Sequence, residues 1–367
     1  MSTTRILPDA ATMTLAGGVS EPCPDKLLSA YQELVAHQRF SWTEHHRFLR
    51  QLGEGGQGVV YLTERRGTDN FTLPVALKIF SPESFSTEHT YDESMARMAR
   101  VAAQVAKIQQ DNLLDVHNFV DRDRIRVMEM EWIDGYDLGK LLTAKMLDRS
   151  RERVSARRWE FINNVIVTSG PVQPRLKPGV AVAVLRDIFA ALAALHREDI
   201  VHRDIKPSNI MVKRTGNAKL IDIGSACELN CEPTIQTCTP AYAAPETLEA
   251  GEFSLRSDLA SVGYVLIEML SGRPPFGGIE RYCDLVEAKR TLPHRLDTIL
   301  PDEVVRNEML MNFCQGLIAP DPNRRFPNAE AADLREEGAA DFLRQLTINN
   351  LGSEYDNEIR LWLEEID

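Results

Sequence analysis

Between His202 and Glu246 the chain reads HRDIKPSN, then LIDIG, then PAYAAPE, which sets out a carboxylate, a lysine, an amide and a second carboxylate in that order. Asp204 and Lys206 are two residues apart, so an extended segment points both side chains toward one substrate. Asn209 follows on a turn favoured by Pro207 and Ser208. A base, a cation and a neutral metal ligand are thereby gathered between positions 204 and 209. Asp222 follows the strand-like run AKLI and precedes Ile223 and Gly224, the glycine permitting a tight departure of the chain. It offers a second oxygen ligand from a neighbouring strand end. These groups suit phosphoryl transfer from a metal nucleotide, which asks a protein mainly to position partners and neutralise charge.

A second stretch supplies what would hold phosphates. LGEGGQGVVY at 52 to 61 places Gly53, Gly55 and Gly58 in the spacing G-x-G-x-x-G, where absent side chains let backbone N–H groups approach phosphate closely. Dinucleotide-binding folds share that spacing, but there a crossover helix follows the turn. Here VVY follows and then, after a polar turn, VALKIF at 75 to 80, which predicts strands in hairpin order. Lys78, between Leu77 and Ile79, puts a charge inside an apolar strand, and that charge needs a partner.

The ordered series resembles the eukaryotic-like (Hanks-type) protein serine/threonine kinase family over about residues 48 to 345. HRDIKPSN resembles its catalytic loop, DIG at 222 to 224 its metal-binding DFG with Ile223 in place of phenylalanine, and APE at 244 to 246 closes the segment. The resemblance implies an α+β, bilobal protein kinase fold: a small antiparallel-sheet N-lobe with one main helix and a larger, mostly helical C-lobe. It implies ATP with Mg2+, or Mn2+ in its place, and a protein substrate bearing Ser/Thr, including the chain itself by autophosphorylation. Asp204 would accept the proton of the acceptor hydroxyl, Lys206 would stabilise the moving γ-phosphate, and Asn209 and Asp222 would hold the metal. Leu52, Gly53, Gly55 and Gly58 would form the phosphate flap, Val60 and Ala76 would enclose the adenine, and Lys78 would pair the α- and β-phosphates. Met130 would back the adenine pocket, Glu131 to Ile133 would offer backbone groups to the purine edge, and Asp137 would sit near the ribose. Asp258 would tie down the catalytic-loop backbone, and Glu246 would pair with Arg325 as an anchor. The alternative on the same fold is a pseudokinase, a nucleotide-binding scaffold; such proteins usually lose the lysine, the catalytic aspartate or the metal ligand, and all are present here.

The family also implies a helix glutamate that holds the lysine. Residues 88 to 110 predict a helix with Met95, Met98, Val101, Val105 and Ile108 as its apolar stripe. Glu93, fifteen residues beyond Lys78, is the choice, with Glu88 behind it. Glu93 lies eighteen residues before Asp111, where the family usually leaves about ten between, so either the helix is longer than usual or the partner is another residue.

The remaining elements must carry these groups. The chain divides into an extension (1 to 47) with a helix near 24 to 38, an N-lobe (48 to 130), a hinge and C-lobe (131 to 345), and a tail (346 to 367) with Ile359, Trp362, Leu363 and Ile366 at helical spacing. The spacing from Tyr136 to His202 is 66 residues where the family usually needs about forty, which marks an arginine-rich insertion at about 143 to 178. Residues 179 to 199 and 256 to 276 predict two long buried helices. Thr234 and Thr237 are candidate phosphosites, with Arg203 placed to receive the charge. Cys227, Cys231 and Cys238 lack a tight C-x-x-C pair and read as isolated thiols.

A composition 43% hydrophobic supplies a core, and a net charge of -12 argues against a general nucleic-acid surface, so no nucleic acid is expected. No membrane segment is expected either, since the longest apolar runs are broken by Arg186 and Asp187. Six cysteines in 367 residues make no disulfide framework, and with no export-type leader in the opening residues the expectation is a cytoplasmic protein.

Overall fold

The computed structural model describes residues 13–14, 25–37, 39–41, 45–229, 237–348 and 354–366. The lead-in before residue 25, apart from Met13 and Thr14, lies outside them, as do Cys231 and Thr234; of Thr237 only the backbone is described.

Alternating apolar residues on either side of the glycine turn form the expected antiparallel sheet. Its six strands are β1 (Arg39–Ser41), β2 (His45–Gly55), β3 (Gly58–Arg66), β4 (Thr72–Phe80), β5 (Val116–Arg122) and β6 (Ile125–Glu131), in the order β1-β2-β3-β4-β6-β5. The sheet thus starts before the expected boundary at 48. The early helix α1 (Asp25–His37) packs on this lobe through buried Leu27 and the partly buried Tyr31, Leu34 and Val35. One long helix, α2 (Glu88–Val105), starts at a capping box made by Thr87 and Thr90 and buries Tyr91, Met95, Met98, Val101, Ala102 and Val105. It ends five residues short of the expected limit at 110.

Beyond the hinge the chain forms β7 (Gly135–Asp137), which joins β8 (Ile210–Lys213) and β9 (Ala218–Leu220) in a sheet ordered β9-β8-β7. The insertion folds as α3 (Ala144–Arg153) and α4 (Ala156–Val165), capped by Thr143 and Ser155. Two apolar helices, α5 (Pro178–Arg197) and α6 (Leu255–Ser271), make the core of the C-lobe. By length and hydropathy α5 could cross a bilayer, but most of it is buried inside the protein, where it packs on α6 and carries the catalytic loop. The tail helix α7 (Tyr355–Ile366) closes back on the insertion: Ile359, Trp362, Leu363 and Ile366 are buried, the Trp362 indole N–H donates to Ser150 Oγ at 2.9 Å, and Arg158 pairs with Glu365 at 2.8 Å and Glu358 at 3.2 Å. The helix Ala339–Ile348 runs across the expected tail boundary at 345.

One partly buried acid on α5, Asp187, lies outside the usual carboxylate range. Burial, and the Asp356 carboxylate of the tail, push Asp187 from 3.8 up to about 6 against the Ala218 N–H that it accepts at 2.6 Å. Below pH 3.8 the group is protonated in both states and contributes nothing. Between 3.8 and 6 the unfolded chain ionises first, and above 6 the folded state carries the whole penalty, on the order of 3 kcal/mol. Asp187→Asn keeps an acceptor for Ala218 and removes the charge, so thermal melting should rise by several degrees at pH 7.5, by about a third as much at pH 4.5, and not at all below pH 3.

Candidate active site

The lobes enclose a cavity of about 480 Å³. Leu52, Val60 and Ala76 line it from the N-lobe sheet, Met211 and Ile221 from the C-lobe, and Met130 from the last sheet strand before the hinge. Sheet register puts these side chains together: Val60 stands opposite Lys78 and Ala76 opposite Met130, so all four share one face. The turn between β2 and β3 closes one end. Gly58 has φ 132°, and a Cβ there would collide with the Ile79 carbonyl, so only glycine fits. At the hinge, the Glu131 carboxylate accepts from Asp115 N–H at 2.7 Å and pairs with Lys219, leaving backbone rather than side chain to a ligand. Asp137 caps the short helix Leu138–Leu141, accepting from Lys140 N–H at 2.9 Å.

The polar end belongs to the catalytic loop. Asp258, fully buried at the start of α6, accepts from the His202 and Arg203 N–H groups, both at 2.9 Å, and lies 3.0 Å from His196 Nε2. That grip holds Arg203 in the left-handed region at φ 71°, a strained conformation for a side chain with a Cβ. The bend delivers Asp204 inward. Its Oδ1 accepts from the Thr239 hydroxyl at 2.6 Å, and its Oδ2 lies 3.0 Å from Lys206 Nζ and 3.1 Å from Asn209 Nδ2. Lys206 Nζ also donates to Thr239 Oγ1 at 3.0 Å, so base, cation and hydroxyl form one closed set.

Asp222 is also left-handed, at φ 62°, and its side chain accepts from Gly224 N–H at 3.0 Å. Burial works to raise its carboxyl, but the Lys78 ammonium paired with it and the Gly224 N–H outweigh that and hold it below the usual carboxylate range. Asn209 spends its amide N–H on Asp204, leaving its carbonyl oxygen to offer a cation. One amide oxygen and one or two carboxylates beside a phosphate-sized space fit a magnesium site, since that ion is usually completed by substrate phosphates and water.

The cavity therefore brings together Leu52, Gly53, Gly55, Gly58, Val60, Ala76, Lys78, Met130, Glu131, Ile133, Asp137, Lys206, Asn209 and Asp222, with Asp204 just behind Lys206. Glu93 does not join them. It points to solvent from α2 and pairs with His89 at 3.2 Å, because position 93 lies across the helix from the buried face at 91, 95 and 98. Glu88 pairs with Arg124 at 2.5 Å and does not reach Lys78 either. The lysine is met instead by Asp222 and by Gln57 Oε1 at 2.7 Å. Sequence reading also passed over Leu114, Met211 and Ile221 as cavity walls; the apolar alternation around IMVK and LI was the available signal for the last two.

Glu246 and Arg325 form the expected pair, which is bidentate at 2.6 and 2.8 Å. Cys227, Cys238, Cys283 and Cys314 are free thiols, and no metal-type cluster of three or more His, Cys, Asp or Glu occurs among the described residues.

The geometry agrees with comparison to known proteins. A model of the protein kinase domain matches residues 46–334. The serine/threonine-protein kinase PrkC of Bacillus subtilis is 28% identical over 309 residues, covering 82% of this chain and 41% of that protein. The serine/threonine-protein kinase PknE of Mycobacterium tuberculosis is 29% identical over 316 residues, covering 83% of this chain and 50% of that protein. PknH of Mycobacterium tuberculosis, also a serine/threonine-protein kinase, is 31% identical over 235 residues, covering 63% and 32%. The chain thus spans half or less of the length of these relatives. With the two lobes, the glycine turn and the Asp204 loop placed as they are, the match over 46–334 shows that this chain belongs to the eukaryotic-like serine/threonine protein kinase family.

Proposed function

We propose that this protein is an ATP- and magnesium-dependent kinase that phosphorylates serine or threonine hydroxyls of protein substrates. The observation that carries the proposal is the closed set of Asp204, Lys206 and a threonine hydroxyl beside Asn209 and Asp222, at the polar end of an apolar-walled cavity. Asp204 already accepts a hydrogen bond from the Thr239 hydroxyl, the contact that an acceptor serine or threonine would need. Lys206, between that carboxylate and the cavity, would neutralise charge gathering on the transferred group. The magnesium nucleotide, when bound, supplies the activated γ-phosphoryl group. Glycines 53, 55 and 58 and Lys78 would hold its phosphates, and Asn209 and Asp222 its metal.

Autophosphorylation at Thr234 or Thr237 belongs to the same proposal. It is supported by the buried Arg203 guanidinium, which stacks 3.8 Å from the Phe253 ring centroid while its Nε and Nη2 make no hydrogen bond among the described residues. A cytoplasmic location is likewise proposed, in keeping with the free thiols. The pseudokinase reading draws on one observation, that α2 brings no carboxylate to Lys78.

One assay separates the two. Purified protein, radiolabelled ATP, magnesium and a generic basic protein should give label on serine or threonine, falling at least about a hundredfold in Lys78→Met. Magnesium-dependent ATP binding without transfer would instead identify a scaffold.

A further inference from the structure

Lys78 is 3% exposed, and a buried ammonium without acceptors costs several kcal/mol, roughly. The helix that packs behind it offers none. The buried face of α2 is Tyr91, Met95, Met98, Val101, Ala102 and Val105, and its acids turn elsewhere: Glu88 and Asp92 to Arg124, Asp92 also to Arg126, and Glu93 to His89. Two groups from outside the helix satisfy the lysine. One is Asp222, which the metal would claim; the other is Gln57, the residue immediately before Gly58 in the glycine turn.

Gln57 uses both ends of its amide. Its Oε1 accepts from Lys78 Nζ at 2.7 Å, and its Nε2 donates to Ser225 Oγ at 2.8 Å. A single side chain thus joins the phosphate turn, the lysine strand and the segment just past Asp222. The space beneath it is fully used: a Cβ at Gly224 would collide with Gln57 Oε1, Lys78 Nζ and Asp222 Oδ1.

Resting on the phosphoryl-transfer reading, we propose that Gln57 is the positioning residue for Lys78, acting from the glycine turn in the role that the helix glutamate has elsewhere in the family. The chemistry of the two partners differs. A carboxylate holds a lysine and cancels much of its charge, whereas a neutral amide holds it and leaves the full ammonium charge for the phosphates. The source differs too. Lys78 is held when the turn is closed over the cleft, whatever the position of α2, so nucleotide closure rather than helix movement sets this lysine.

The test compares wild type with Gln57→Met, which keeps the volume without the amide, and Gln57→Glu, which keeps the acceptor and adds a charge. Turnover, the KM for magnesium ATP and thermal melting are measured for each. Gln57→Met should lose about tenfold to a hundredfold in kcat, as expected for a misplaced catalytic group, with only a small fall in melting temperature because Asp222 still pairs with Lys78. Gln57→Glu should keep a kcat near wild type while its KM for magnesium ATP rises, because the new carboxylate opposes the phosphates. Rescue by glutamate but not by methionine separates positioning from packing. A Gln57→Met enzyme equal to wild type would overturn the inference, as would a Gln57→Glu enzyme no better than Gln57→Met. A wild-type protein that transfers no phosphate would instead sink the proposed function itself.

Discussion

Asp204→Asn should lower kcat by about a thousandfold, close to 4 kcal/mol in the barrier, while leaving the affinity for magnesium ATP within a factor of about two. The two halves of that expectation come from different observations. Affinity survives because Asp204 does not line the cavity that would hold the nucleotide; Lys206 and Asn209 stand between. Turnover fails because the amide cannot take a proton, and because it cannot satisfy its neighbours. In the native site Oδ2 faces two donors, Lys206 and Asn209, while Oδ1 faces a third, the Thr239 hydroxyl. With its NH2 toward Lys206 and Asn209 the asparagine meets two donors, and turned toward Thr239 it donates to a hydroxyl that must then give up its own bond, so in either pose the set that orients the acceptor hydroxyl is broken. Steady-state transfer with labelled ATP, beside a separate nucleotide-binding titration, measures both halves. A variant within tenfold of wild type would mean that another group takes the proton.

How much of this site the sequence made legible depended on whether a group's role was local. Asp204, Lys206 and Asn209 lie within six residues, and their relation follows from an extended step and a turn, so spacing alone placed them. Gly58 was equally readable, since its φ is a property of the turn itself. The partner of Lys78 was not, because it is a long-range fact: Gln57 is 21 residues from the lysine and 168 from Ser225. A glutamine beside a glycine carries no local mark of that use. The error over Glu93 was avoidable in principle. The stripe Met95, Met98 and Val101 was legible, and position 93 falls opposite it, so a buried contact from Glu93 conflicted with the helix's own periodicity. The tail was legible as an amphipathic helix, but its partner was not, because Trp362 and Arg158 meet residues more than 200 positions away.

Removing the guanidinium of Arg325 should destabilise the C-lobe strongly, by about 3–5 kcal/mol for Arg325→Met. The residue is 4% exposed, and its charge serves more than one neighbour. Nη1 and Nη2 hold Glu246 at 2.6 and 2.8 Å, Nε donates to the Ala319 carbonyl at 2.7 Å, and Nη1 donates to the Arg256 carbonyl at 2.9 Å. Nη2 also donates to the Pro320 carbonyl at 3.4 Å, so methionine fills much of the volume but leaves an ionised carboxylate and three carbonyls without these donors. Adding Glu246→Gln to Arg325→Met should recover a part of the loss, since the uncompensated charge goes while the three carbonyls stay unmet. Urea unfolding should show the midpoint moving by about 1 M or more in the single variant and returning partway in the double. Equal midpoints for the single and double variants would mean that the carboxylate is already well solvated and the pair is no anchor. The cost should also reach catalysis. Glu246 opens the helix Pro245–Ala250, and the residues just before it carry Thr239, which touches both Asp204 and Lys206, and Ala241, whose carbonyl accepts from the buried Lys289 at 2.7 Å. Loosening that run blurs the acceptor side of the site and leaves the nucleotide walls alone, so kcat for the protein substrate should fall in Arg325→Met while the KM for magnesium ATP stays near wild type.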